Sequence, residues 1–63
     1  MTHEQRRVND LLDLMTTLNN SITAEIREIS RGKGHTAEEI EETLNYWIDD
    51  RITFMKQEEA NND

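Results

Sequence analysis

Sixty-three residues with no cysteine and no proline allow one small domain without disulfides, and two histidines, His3 and His35, are too few for a structural zinc site. A core of this size seldom supplies more than about 3–5 kcal/mol by itself, so oligomerisation is the expected supplement and a homodimer or larger assembly is anticipated. The net charge of −7 disfavours generic binding to phosphate backbones, and with no long apolar run and no leader-like start the expected location is cytoplasmic, with no membrane partner.

Thr2 is placed to cap a first helix, predicted over about residues 3–31. Its apolar positions are Val8, Leu11, Leu12, Leu14, Met15, Leu18, Ile22, Ile26 and Ile29. At about 100° per residue they occupy a sector of roughly 160°, and Val8, Met15, Ile22 and Ile29 recur with a heptad period like that of a coiled coil. Thr16 to Thr23 is poor in helix formers, yet Leu18 and Ile22 hold the phase and no glycine or proline intervenes, so the helix is expected to continue.

Arg31-Gly32-Lys33-Gly34-His35 supplies a basic last turn and a glycine suited to the left-handed position after a helix, giving a predicted turn over 32–35. Thr36 and Glu39 have the spacing of a capping box, which opens a second helix over about 37–58. Ile40, Leu44, Trp47, Ile48, Ile52, Phe54 and Met55 form its apolar sector, and residues 59–63 are expected to fray. The fold class is all-α, an antiparallel helical hairpin. Sectors this wide exceed what two helices bury against each other, so two hairpins are expected to pair into a four-helix bundle. The expected oligomer core comprises Val8, Leu11, Met15, Leu18, Ile22, Ile26, Ile29, Ile40, Leu44, Trp47, Ile48, Phe54 and Met55.

The same segments carry no constellation that points to catalysis or ligand chemistry. Gly32-Lys33-Gly34 lacks the glycine spacing, the Ser or Thr after lysine and the preceding strand of a phosphate-binding loop. His35 with Glu38 and Glu39 is too sparse a ligand set for a metal, and the adjacent acids Glu41-Glu42 and Asp49-Asp50 read as solubilising. No catalytic residue, metal, cofactor or small-molecule substrate is assigned, and the chain is expected not to be an enzyme.

Polar residues within the stripes are candidates for fixing register: Arg51 near the centre of the second sector, with Asn19 or Glu25 as its expected partner across a helix interface. The outer arc of the second helix, with Glu39, Glu42, Tyr46, Asp49 and Asp50, is a candidate docking surface for a basic protein. Arg6, Arg7, Arg27, Arg31 and Lys33 form an alternative basic patch that suits RNA or an acidic protein. The leading functional expectation is a small acidic helical protein that binds another protein as regulator, inhibitor or adaptor, the kind of product expected of phage or plasmid genes. An RNA-binding four-helix bundle and a structural scaffolding component are the alternatives.

Overall fold

A computed structural model describes residues 2–61. It contains two helices, α1 (His3–Ser30) and α2 (Ala37–Asn61), packed side by side.

Each helix begins with the same device. Thr2 Oγ1 accepts from the Gln5 amide at 3.1 Å, and Gln5 Oε1 accepts from the Thr2 amide at 3.1 Å. Thr36 and Glu39 repeat the box, with Glu39 N donating to Thr36 Oγ1 at 3.2 Å and Thr36 N donating to Glu39 Oε1 at 2.9 Å. Two orphan amides are satisfied at each start. The weak middle of α1 stays helical, and Thr16 Oγ1 donates back to the Leu12 carbonyl at 3.0 Å.

At the end of α1, Gly32 N donates to Ile29 O at 3.0 Å and Lys33 N to Glu28 O at 2.8 Å. That pair of bonds is a Schellman termination, and it needs the left-handed backbone that Gly32 adopts at φ 77°. α2 ends later than the sequence reading has it. Instead of fraying from residue 59 it runs through Asn61, because Gln57-Glu58-Glu59-Ala60 are good helix formers with no glycine or proline to stop them. Residues 62 and 63, the rest of the expected tail, lie outside the described residues.

The seam between the helices is not where the apolar stripe of α1 is centred. From α1 it takes Asp10, Leu14, Thr17, Leu18, Ser21, Glu25 and Glu28, and from α2 Ile40, Leu44, Ile48, Arg51, Ile52, Met55 and Glu58, as their reduced exposure shows. Among the described residues only Met55 and Asp10 are buried. Val8, Leu11, Leu12, Met15, Ile22, Ile26 and Ile29 remain between 44% and 60% exposed. Thus most of the α1 residues assigned to a core have no cover within one chain. By helix geometry the centre of their stripe is turned from the seam by roughly 110°.

The result is a slab. The Cα atoms extend over 49 × 18 × 10 Å with a radius of gyration of 14.8 Å, against roughly 10.6 Å for a compact chain of this length. The layer is one helix thick, so neither broad face has a second layer on it.

Candidate protein-binding surfaces

At the tip, Glu25 reaches ten residues along the chain to hold His35. The His35 amide donates to Glu25 Oε2 at 2.6 Å, and His35 Nδ1 lies 2.7 Å from Glu25 Oε1. The backbone bond from His35, and then its imidazole, hold the Glu25 carboxyl below the usual carboxylate range. The bond to Glu25 in turn raises the His35 imidazole above its ordinary value. Gly34 packs against α1 here: a Cβ at this position would meet Ile29 Cγ1, 3.0 Å from Glu25 Oε2 and 3.1 Å from Ile29 Cα. The two glycines therefore serve a helix end and a close approach. Beside them Ser21, Ala24, Glu28, Ile40 and Leu44 line an open cleft of about 240 Å³, smaller than the roughly 300–1,000 Å³ of most ligand pockets. Among the described residues no three acids or histidines are grouped to hold a metal ion.

Within the chain Arg51 pairs with neither Asn19 nor Glu25, the partners expected for it. Its Nη1 lies 3.9 Å from Oδ1 of Asp10, whose side chain is 12% exposed, and its guanidinium stands 5.4 Å from the Phe54 ring centroid. The reason is the length of the lever arms. Glu25 lies in the last two turns of α1 and is taken up by His35, whereas Arg51 lies far along α2, level with the first half of α1. Asn19 is exposed and turned away from the seam.

The outer arc of α2 is exposed throughout, at Glu39, Glu42, Tyr46, Asp49 and Asp50. Glu39 is already engaged by the Thr36 amide, which holds its carboxyl low. Three aromatic residues are all the chain has, and all three lie on α2 with their rings accessible: Tyr46 at 62%, Trp47 at 37% and Phe54 at 44% exposure. Tyr46 and Trp47 meet edge to face at 5.1 Å between centroids. Trp47 and Phe54, expected in the oligomer core, lie at the edge of the α2 apolar sector and are accessible within one chain.

The basic residues are partly spoken for. Arg31 pairs with Glu28 at 3.5 Å and Arg7 with Glu59 at 3.8 Å. Arg27 and Lys33 are exposed near the tip, while Arg6 is half-buried at the other end.

The third surface is the stripe of α1, where Leu11, Leu14, Met15, Leu18, Asn19 and Ile22 line a shallow apolar groove of about 340 Å³. Antiparallel helices share a face where side chains are displaced from the seam in the same angular sense, as Arg7 and Glu59 are in their ion pair. The α1 stripe is displaced forward by roughly 110°, and Trp47 and Phe54 backward by roughly 75°. The two apolar surfaces therefore lie on opposite faces of the slab.

Neither described helix is long and apolar enough to cross a membrane. Comparison of the chain with protein-family models, curated proteins and solved structures finds no match.

Proposed function

We propose that this chain is a non-enzymatic, protein-binding helical hairpin that pairs with a second copy into a four-helix bundle and offers α2 to a basic partner protein, as a regulator, inhibitor or adaptor. The observation that carries the reading is the gathering of every aromatic side chain on α2, exposed and set among acids. Tyr and Trp are among the residues most often found to dominate protein–protein binding energy, and Tyr46 and Trp47 are adjacent and accessible on α2. Asp49, Asp50 and Glu42 around them attract a basic surface and accelerate encounter without supplying most of the affinity.

Two variants divide the roles. Once a partner is identified by crosslinking and purification, Tyr46→Ala should weaken binding chiefly through faster dissociation, and Asp50→Lys through slower, less salt-sensitive association. Undiminished affinity in the double variant would exclude α2 as the working face. Salt-sensitive RNA binding that disappears on Arg27→Glu with Arg31→Glu would replace this reading with the basic-end alternative.

A further inference from the structure

We infer that the α1 stripe is covered by α1 of a second copy, running antiparallel about a two-fold axis that passes between Leu18 and Asn19. This rests on the dimer reading above and adds which helix is innermost and in what register.

The first support is area. The chain exposes 5101 Å², whereas a compact protein of 7.5 kDa exposes roughly 4,250 Å². The excess of about 850 Å² matches the roughly 800 Å² that each partner contributes to a standard specific interface.

The second is charge. Leu14 to Ala24 contains no charged side chain, in a chain of which 33% is charged. This neutral stretch is about 16 Å of helix. Loss of charge marks the centre of an interface, and α2, with its paired acids, would repel another α2. α1 is the helix suited to the middle of an assembly.

The third is pattern. Three apolar pairs are matched about a point between Leu18 and Asn19, for Val8 mirrors Ile29, Leu11 mirrors Ile26 and Met15 mirrors Ile22, while Leu12, Leu14 and Leu18 mirror the polar Glu25, Thr23 and Asn19. The two halves of the stripe differ in bulk. Val8, Leu11, Leu12 and Met15, with Leu14 and Leu18 where the stripe borders the seam, crowd the N-terminal half, and the C-terminal half is thinner, with Ile22, Ile26 and Ile29. Antiparallel pairing sets thick against thin and keeps the helices evenly spaced; parallel pairing would set thin against thin and leave gaps around Ile26 and Ile29. Asn19 then falls beside its own copy at the axis. A carboxamide both donates and accepts, so two of them satisfy each other, while any sliding of the register would bury each against aliphatic side chains. Trp47 and Phe54 lie on the opposite face and Tyr46 on the outer arc of α2, so the rings stay free.

Because the chain has no cysteine, single introduced thiols report the orientation directly. In the antiparallel pair two copies of residue 8 lie about 31 Å apart, while residue 8 of one copy lies level with residue 29 of the other. With a short bis-maleimide, an equimolar mixture of Val8→Cys and Ile29→Cys chains should crosslink at least about tenfold more than either alone. Gln5→Cys mixed with Ser30→Cys, on the polar margin of the stripe, should behave the same way and does not disturb the apolar contacts. Efficient crosslinking of Val8→Cys with itself would overturn the antiparallel register while leaving the dimer standing. Sedimentation of the unaltered chain as a monomer throughout the concentration range would overturn the dimer reading and this inference together.

Discussion

α1 and α2 are nearly the same length and carry apolar sectors of similar width, yet they solve different problems. α2 spends its aliphatic residues inside the hairpin, at Ile40, Leu44, Ile48 and Met55, and turns acids and aromatic rings outward. α1 does largely the reverse. Its seam is lined by Asp10, Thr17, Ser21, Glu25 and Glu28 beside only Leu14 and Leu18, and its other apolar residues face away from the partner helix. The width of an apolar stripe therefore does not say which neighbour it faces; the polar groups that close the hairpin, Asp10 with Arg51 and Glu25 with His35, set the azimuth of α1.

The sharpest way to break the contrast is to charge one helix and then the other. Ile22→Glu puts a carboxylate into the middle of the neutral stretch of α1 and is expected to cost about 3 kcal/mol or more per chain if that face is covered. It should convert the proposed dimer to a poorly helical monomer. Tyr46→Glu on the outer arc of α2 should stay within about 0.5 kcal/mol of the unaltered chain. Thermal melts and sedimentation of both variants check the pair, and equal effects would mean that the helices are not differentiated as inner and outer.

The tip separates two reasons for glycine. At Gly34 the obstacle is space, because any side chain meets Ile29, and Gly34→Ala is expected to cost about 1–3 kcal/mol. At Gly32 the space is open and the obstacle is the positive φ, so Gly32→Ala should cost about 1–2 kcal/mol and Gly32→Asn less. Asparagine at Gly34 should give no such relief. Melting temperatures of the four variants distinguish crowding from backbone conformation.

A smaller effect is expected where the seam is ionic. Arg51→Met strands the nearly buried Asp10 carboxylate and should cost about 1–2 kcal/mol. Adding Asp10→Leu to the same chain should restore most of that loss, since replacing both members of a buried pair by apolar groups is often neutral or better. Failure of the double variant to recover would show that Arg51 acts mainly through Phe54, 5.4 Å away.

The starts of both helices and the end of α1 were readable from residue types alone, because capping is local: Thr2, Gly32 and Thr36 each act on neighbours within three or four positions, whereas the end of α2 has no such marker. The seam was not. Which part of a wide sector faces the partner helix depends on the angle at which the turn delivers α2, and that angle is fixed by the contact of Gly34 with Ile29 and by a hydrogen bond spanning ten residues. For the same reason Asn19 and Glu25 could be recognised as unusual within α1 without revealing that Glu25 belongs to His35 and that Arg51 belongs to Asp10. The acidic arc of α2 was visible as a pattern, but the joining of Trp47 and Phe54 to Tyr46 as exposed rings depends on the same rotation.

The weakest contrast is between the two bonds that close the tip, and pH resolves them. The hydrogen bond that the His35 imidazole donates to the Glu25 carboxylate raises His35 above its ordinary 6.5, with Glu39 and Glu28 adding to the field. That contribution is complete below pH 6.5 and is lost as pH rises through the folded-state value. Glu25 is held below its ordinary 4.5, so its contribution is complete above pH 4.5 and is lost as pH falls through its folded-state value. Both are fully present together between pH 4.5 and 6.5. On the alkaline side the loss is partial, because the His35 amide still donates to Glu25 after the imidazole has lost its charge. The melting temperature should therefore fall modestly from about pH 5.5 to about pH 8, and His35→Gln should flatten that fall by removing the titrating ring while keeping the amide. An equal fall in both proteins would assign the pH dependence to groups away from the tip and leave the amide bond as the part of the clamp that matters.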